Sequence, residues 1–530
     1  MDDRQALHDN IIHRVNVGDL LTRSAARAPN HIALVDGDRR ITYRQFNTLA
    51  NRLARGLSSL GYARGDALAL MSGNSAEFLV TYFACAKLGL VCVPINLFWR
   101  HGELAYVMEH ARVRGVVVEA TLLNQLATGA EGMALVDTLI VIGRPEGDMP
   151  ALGPARMVDY EELTVAMPAA ELETIAGDRD PLSYLYTSGT TSAPKGVVGS
   201  HTAIYVESLG VAIDTGMTAR DKVAAMLPFF HTAQLNAFCT PSIAVGATIF
   251  ILRSFDAERL LGLVEGQGVS VIFGLPVMYR TLLDRQIVER RNVSSLRLAV
   301  YAMAPMASDE LKRAIEVFDC DFSLMFGQTE MSPVAAFFRP EHQLTHTGAA
   351  GTPSINVQVG IMDDAGALLE TGQSGEIVYR SPQALVGYLR NEEATAAAFR
   401  HGWFHSGDVG HFDDDGILWF EDRFKDVIKT GGENVASLEV ETALYATESA
   451  ILNAAAVGLP HARWGEAITA FVILRPGATI DESAVLTKIK DRLSPFKCPK
   501  AIIVVEEFPK TATGKIQKVE LRKRFADFYQ

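Results

Sequence analysis

Short apolar runs alternate with longer amphipathic stretches through much of the chain. Ala67 to Met71 is an unbroken apolar pentad of strand length. Ser75 to Leu88 carries a helical pattern, begun by Asn74 with Glu77 three residues on, and Val91 to Val93 is apolar again. Strand, helix and strand in that order predict a βαβ unit. The rhythm returns at Ala247 to Leu252, Asp256 to Glu265 and Val269 to Phe273, so the pattern predicts an α/β fold with largely parallel sheets. Pro145 to Pro181, rich in Pro, Gly, Glu and Asp, reads as a connection between two sub-sheets. A domain boundary is expected near Asp422 to Lys425. There the turn-rich Asp413 to Gly416 and one strand precede a segment with its own helices, strands and basic tail.

At 530 residues the chain is several times the size of a typical domain, so it can bury a large core and is expected to hold a second domain. The longest apolar stretch, Val80 to Phe98, is broken by Lys87, Pro94 and Asn96, so no membrane span is expected. Met1-Asp2-Asp3-Arg4 lacks the basic and then apolar opening of a secretory signal, and the expected location is the cytoplasm. The five cysteines (Cys85, Cys92, Cys239, Cys320, Cys498) are scattered and none forms a C-x-x-C pair, which fits reduced thiols better than disulfides or a zinc site. A net charge of −13 argues against a nucleic-acid surface. From Lys488 onward, however, 11 Lys/Arg face 5 Asp/Glu, a local basic patch that an anionic partner could use.

Candidate chemistry begins where the strand-like Ser183 to Tyr186 runs into Thr187-Ser188-Gly189-Thr190-Thr191-Ser192-Ala193-Pro194-Lys195-Gly196. Glycines let backbone N–H groups close on phosphate oxygens, hydroxyls add neutral donors, and a lysine offsets charge. The order is not that of a Walker loop. Taken alone, the stretch reads equally as a flexible polar turn.

The loop resembles the T-S-G-T-T-G-x-P-K-G signature of the adenylate-forming superfamily, which includes acyl-CoA synthetases, peptide-synthetase adenylation domains and luciferases. Further resemblances follow in the family's order: Pro228-Phe-Phe-His231, Phe326-Gly-Gln-Thr-Glu330, Trp403-Phe-His-Ser-Gly-Asp408, Asp422-Arg423-Phe-Lys425-Asp426, Lys429-Thr-Gly431-Gly432-Glu-Asn434 and Pro509-Lys-Thr-Ala-Thr-Gly514-Lys515. The resemblance spans nearly the whole chain. It implies a large N-terminal adenylation domain, residues 1–424, of two α/β sub-sheets plus a small β-barrel, and a smaller mobile α+β lid, residues 425–530.

The same resemblance implies roles at the matching positions. Bringing an anionic carboxylate to an α-phosphate calls for converging positive charge and donors. Lys515 matches the lysine that reaches the acyl carboxylate and α-phosphate. Thr329 matches the hydroxyl donor to the phosphates, and Glu330 the carboxylate that holds Mg²⁺. Thr187, Ser188, Gly189, Thr190, Thr191 and Lys195 would cradle phosphates. Ala304, Pro305, Phe326, Gly327 and Gln328 would border the adenine, and Asp408 with Arg423 would take the ribose. His231 aligns with the aromatic gate between acyl and nucleotide pockets. Lys425 falls at the hinge, and Lys429, Gly431, Gly432, Trp464, Phe496 and Lys497 would meet the CoA thiol arm. Plainer roles are open for several: a core histidine for His231, a turn residue for Asp408, a surface ion pair for Arg423, and a core or surface aromatic for Trp464.

The chain departs from the family at Ser192, where glycine is usual, at Phe326, where tyrosine is common, and at Ser437, where proline is common. Met303 stands where glycine is frequent, and a long side chain there would shorten or reshape an acyl tunnel. Small Ala233 would leave room on the opposite wall. The expected activity is ATP-dependent ligation of a fatty or aryl acid to CoA through an acyl-AMP, with ATP, Mg²⁺ and CoA as cofactor and co-substrates. Two other readings stand beside it. One is loading of a carrier-protein thiol, against which Pro228 to Asn236 lacks an amine-binding aspartate and no carrier domain follows. The other is a non-catalytic nucleotide-binding relative, which would be expected to lose Lys515, Glu330 or Arg423; all three are present.

Overall fold

The computed structural model describes residues 3–145, 147, 150–187, 194–304, 306–431, 433–510 and 516–529. It divides into two compact units. The first gathers residues up to Thr187, Pro194–Val359 and Tyr379–Phe404, and the second Gly360–Val378 and the residues from His405 onward.

The first unit is built on two large sheets, and the predicted βαβ units fall one in each. Strands Ala67–Met71 and Val91–Pro94 lie side by side in parallel at the centre of an eight-stranded sheet. Strands Thr248–Ile251 and Val271–Gly274 belong to a nine-stranded sheet whose middle six strands are all parallel. Both pairs are wholly buried, as continuous Val/Ile/Leu runs require of strands covered on both faces.

The helix predicted from Ser75 forms as Ala76–Leu88, but two details of the expectation are corrected. Ser75, not Asn74, caps it: its hydroxyl accepts from Phe78 N–H at 3.0 Å. Nor is the helix amphipathic in its setting, since every residue except Glu77 is buried. Even Lys87 is enclosed, and its ammonium donates to Glu171 at 2.7 Å and Thr22 at 2.5 Å. Burial pulls the Lys87 pKa down, and the Glu171 carboxylate opposes that pull.

Asn74 is thereby released for a different task. Its amide donates to Leu227 C=O at 2.9 Å and Leu252 C=O at 3.0 Å, and its Oδ1 accepts from Phe229 N–H at 2.9 Å. The loop after a central strand of one sheet is thus tied to the ends of two strands of the other.

The polar stretch before Pro181 is also corrected. It holds a strand, Arg156–Asp159, and a helix, Tyr160–Val165, and the strand pairs in parallel with Thr138–Ile142 at the edge of the eight-stranded sheet. Both neighbours in sequence, Thr138–Ile142 and Pro181–Thr187, belong to that same sheet, so the stretch does not join two sheets. Its polarity reflects an exposed edge strand.

A small sheet with strands Gln358–Met362, Gly375–Arg380, Trp403–Phe412 and Leu418–Arg423 falls largely in the second unit, its first three strands each having two residues in the first, and the last two strands pair antiparallel. The second unit also holds a mixed sheet built around the long hairpin Ile451–His461 and Gly465–Leu474. Helix Ser437–Thr447 packs on this sheet through Val440, Ala443 and Leu444. All five cysteines are free thiols. Among the described residues no helix is long and apolar enough to cross a membrane.

Asn74→Ala removes three buried partners at once and leaves two carbonyls and one N–H unpaired. A loss of about 2–3 kcal/mol is expected, seen as a lower thermal unfolding midpoint. Ser75→Ala, which removes only a cap, should cost about 1 kcal/mol.

Candidate active site

Three segments singled out in the sequence leave the C-terminal ends of parallel strands in the nine-stranded sheet. That edge is where open α/β sheets place ligands. Strand Leu298–Ala302 registers with Asp321–Gly327, Ala302 lying beside Met325, so Met303 and Phe326 emerge one step further on together. Strand Lys222–Ala225, two places across, leads into Pro228 to His231.

Gly327 can only be glycine. Its φ is +156°, and a Cβ there would lie 2.0 Å from Pro333 C=O. The backbone folds tightly at this point, and Gln328 N–H donates to that same carbonyl at 2.9 Å. A short 3₁₀ turn, Thr329–Met331, follows. Gln383, which the sequence did not single out, holds this turn by donating to Met331 C=O at 2.8 Å and Val334 C=O at 2.5 Å.

Thr187 and Lys195 stand opposite each other at the open end of an antiparallel pair, Pro181–Thr187 with Lys195–Ser200. Ser188, Gly189, Thr190, Thr191, Ser192, Pro305, Gly432 and Lys515 lie outside the described residues. Lys195 is brought to Glu330 by a residue missed in the sequence. Tyr388 donates its hydroxyl to Glu330 Oε1 at 3.0 Å, and the Lys195 ammonium sits 4.7 Å above its ring. Tyr388 belongs to a two-residue strand paired with Val197 and Val198. A strand that short leaves no periodicity to read. Burial, and then the Glu330 carboxylate, raise the Tyr388 pKa, so it remains a phenol donor.

His231 lies against Phe230, ring centroids 4.7 Å apart, and its Nε2 is sealed from solvent with no hydrogen-bond partner. Burial lowers its pKa to about 4, which keeps the ring neutral at pH 7. Ala233 and Ala304 leave small surfaces nearby in sequence. Met303 is 69% exposed and adopts φ +71°, a left-handed conformation in which glycine is at home and methionine is strained.

In the second unit Asp408 and Arg423 are directly opposite in register, with Arg423 Nε 3.6 Å from Asp408 Oδ1. Asp408 is buried within strand Trp403–Phe412, next to Gly407 at φ +73°. Glu376, also missed in the sequence, braces this part of the strand by accepting from Gly407 N–H at 3.0 Å and pairing with His405 Nδ1 at 2.7 Å. Phe424 N–H donates to Gly407 C=O at 2.9 Å, which places exposed Lys425 one residue beyond.

Trp464 is brought onto Gly431. Its carbonyl accepts from Gly431 N–H at 2.7 Å, and its ring lies 3.5 Å from where a Gly431 Cβ would be. Arg463 and Lys500 flank the same indole at 4.7 and 5.1 Å. Lys429 is exposed, while Lys497 is paired to Glu439 at 2.8 Å beside Phe496. Ser437 has a use that proline could not serve. Its N–H donates to buried Asp422, and its hydroxyl accepts from Lys518.

Family models fit this arrangement over most of the chain: that of the AMP-binding enzymes matches residues 21–389, and that of their C-terminal domain matches 439–515. The chain belongs to the AMP-binding enzyme family. It is 31% identical over 509 residues to a feruloyl-CoA synthase of Streptomyces, covering 96% of this chain and 99% of the relative. It is 32% identical over 522 residues to a long-chain-fatty-acid–CoA ligase of Mycobacterium tuberculosis, covering 96% and 99%. A fatty acid–[acyl-carrier-protein] ligase of Streptomyces coeruleorubidus is 30% identical, covering 94% and 95%. Among solved structures, ATP-bound MatB from Rhodopseudomonas palustris superposes with a TM-score of 0.87 at 28% identity, covering 97% of this chain and all of that one. This enzyme therefore shares the α/β architecture of its family, with a large N-terminal part and a smaller α+β C-terminal part.

Two predictions follow from the local energetics. His231 and His201 are both held neutral by burial, with pKa values lowered to about 4, whereas the unfolded chain protonates them near about 6.5. The unfolded state therefore binds more protons between these values. Stability from these groups is complete above about pH 6.5 and lost as pH falls to about 4. Thermal unfolding across that window should show the slope, and His201→Gln should flatten it. At position 303, Met303→Gly should hold or raise stability, whereas β-branched Met303→Val should lower it by about 1–2 kcal/mol. Unfolding midpoints of the two variants measure the difference.

Proposed function

We propose that the enzyme is an AMP-forming acid–thiol ligase. A carboxylate attacks the α-phosphate of ATP and pyrophosphate departs. The sulfur of CoA then attacks the acyl carbonyl of the adenylate, and AMP leaves. The observation that carries this reading is the meeting of Lys195, Tyr388 and Glu330 at the mouth of the Thr187–Lys195 loop, in a chain related along nearly its full length to CoA ligases.

Each cluster has a part in the chemistry. Thr187, the loop residues 188–191 and Lys195 receive the phosphates, with the Thr329 hydroxyl as a further donor. A Mg²⁺ ion arriving with the nucleotide takes one or two carboxylates and the phosphate oxygens. Glu330, a carboxylate that accepts from the Tyr388 hydroxyl, fits that requirement. Among the described residues no group of three or more potential ligands offers a dedicated metal cage. Bound there, Mg²⁺ neutralises phosphate charge.

Phe326, Gly327, Gln328 and the Met303 to Pro305 segment border the base. Asp408 accepts the ribose hydroxyls, oriented by Arg423 and held by the Glu376-braced strand. Lys515 supplies positive charge while the carboxylate attacks. The residues from 425 to 530 act as a mobile lid with Lys425 at the hinge, and Lys429, Gly431, Gly432 and Trp464 border the thiol path. His231, neutral and apolar on one face, separates the acid from the nucleotide. A cytoplasmic enzyme of fatty- or aryl-acid metabolism fits these assignments. Transfer to a carrier-protein thiol is the second reading, favoured by the kinship to the carrier-protein ligase.

Pyrophosphate release and thioester formation would be followed across a panel of carboxylic acids, with CoA and with a phosphopantetheinylated carrier protein. Turnover to an acyl-CoA is expected, and turnover only with the carrier would overturn the assignment to CoA. Lys515→Ala should abolish adenylate formation while leaving thioester formation from supplied acyl-AMP within a few-fold of the parent. Equal loss in both half-reactions would remove Lys515 from its assigned role.

A further inference from the structure

Helix His201–Asp214 carries Glu207 on its inner face, 1% exposed. Both of its carboxyl oxygens lack any hydrogen-bond partner. Native proteins pair nearly all buried polar groups, and a buried carboxyl without partners is among the most costly exceptions. Neighbouring acids are handled otherwise. Asp214, on the same helix, pairs with Arg339 at 3.1 Å and Ser354 at 2.5 Å. Glu207 has no such cation, and burial alone accounts for its raised pKa.

The surroundings connect Glu207 to the site. Ser208, the next residue, bonds the Thr240 hydroxyl, which donates to Asn236 C=O at 2.8 Å. The Tyr82 hydroxyl meets Asn236 Oδ1 at 3.2 Å, and the Asn236 amide donates to Thr232 Oγ1 at 3.0 Å, one residue after His231. The Leu235–Cys239 stretch is wound as a π-helix, a local widening that frequently marks functional positions. Glu207 is also locked in place. Its neighbour Ser208 is bonded to Thr240 at 2.7 Å and to Ile204 C=O at 2.6 Å, so the helix is fixed against the segment after His231.

We propose that Glu207 is a specificity residue for the acid, its carboxyl accepting a hydrogen bond from a hydroxyl or ammonium group that the substrate carries in addition to the carboxylate being activated. This rests on the ligase reading above. An acid without such a donor leaves Glu207 unpaired and gains only apolar contacts. An acid with one satisfies a group that the protein keeps unsatisfied at a cost.

The test compares kcat/KM for AMP formation over straight-chain and aromatic acids of matched size ending in methyl, hydroxyl or aminomethyl. The parent enzyme would be set against Glu207→Gln and Glu207→Leu. The parent should favour a donor-bearing acid over its methyl counterpart by about tenfold or more, and Glu207→Leu should bring that ratio to one or below. Glu207→Gln tells the donors apart. If the natural donor is hydroxyl the preference survives within about threefold, and if it is ammonium the preference is lost.

Free of substrate, Glu207→Leu should melt higher than the parent, which also establishes that it folds. A parent that favours methyl acids throughout, or a well-folded Glu207→Leu that keeps the parent ratio, overturns the proposal. Either result, with acyl-CoA still formed from methyl acids, leaves the ligase reading intact. Failure of every acid to yield AMP overturns both.

Discussion

Two sheets that share no strand must still present their C-terminal edges in fixed relation, and in the first unit the buried carboxamide of Asn74 makes much of that connection, beside Asp36, which accepts from Ala76 N–H, and the Arg253–Glu119 pair. Asn74 follows a central strand of the eight-stranded sheet and bonds to backbone at Leu227, Phe229 and Leu252, all just beyond strands of the nine-stranded sheet. The segment after Phe229 leaves from this junction: His231, the π-helical turn and Asn236, which meets Tyr82. Gln234 reinforces it, its Oε1 accepting from Met226 and Leu227 N–H at 3.3 and 3.1 Å. Apolar packing brings the layers together without direction. The amides supply direction, because a hydrogen bond weakens steeply when its geometry drifts.

Much of the fold was legible in the sequence because buried parallel strands and their crossover helices leave coarse, repeated signals. Ala67–Met71, Val91–Pro94, Thr248–Ile251 and Val271–Gly274 are strands because short apolar runs bounded by caps and turns have few other ways to be buried. The misread details share a cause. Asn74 and Ser75 are adjacent and both are good capping types; only tertiary contact decides that one caps and the other crosses to the second sheet. The helix after them looked amphipathic because Glu77 and Lys87 are charged, yet Lys87 is buried with Glu171, a partner 84 residues away. Arg156–Asp159 reads as part of a connection in the sequence because an edge strand is polar.

The candidate site divides the same way. Residues that the family resemblance assigns to phosphate, ribose or base lie in short motifs and can be named from the sequence. Those that brace them could not. Tyr388, Gln383 and Glu376 come from scattered positions and act by hydrogen bonds to backbone or to a motif side chain. No spacing rule links Tyr388 to Glu330, 58 residues earlier. Ser437 shows the converse. The sequence marks it only as a departure from the family's proline, whereas its N–H serves a buried aspartate and its hydroxyl a lysine. Met303 is explained by its backbone: the left-handed φ accounts for glycine being frequent there, and methionine is kept at an energetic cost.

The packing of Trp464 on Gly431 also gives the enzyme an optical label of its own. Four tryptophans occur in the chain, and three are committed elsewhere. Trp99 is buried edge-on to Tyr186, Trp403 lies beneath the Arg380 guanidinium, and the Trp419 indole N–H is bonded to Asp413. Trp464 alone combines partial exposure with two flanking cations and a glycine backbone against its ring. Its excited state is therefore sensitive to anything that displaces Arg463 or Lys500, or that changes the dihedral angles of Gly431. With Trp99, Trp403 and Trp419 replaced by phenylalanine, the remaining emission would report events in the second unit without an attached dye.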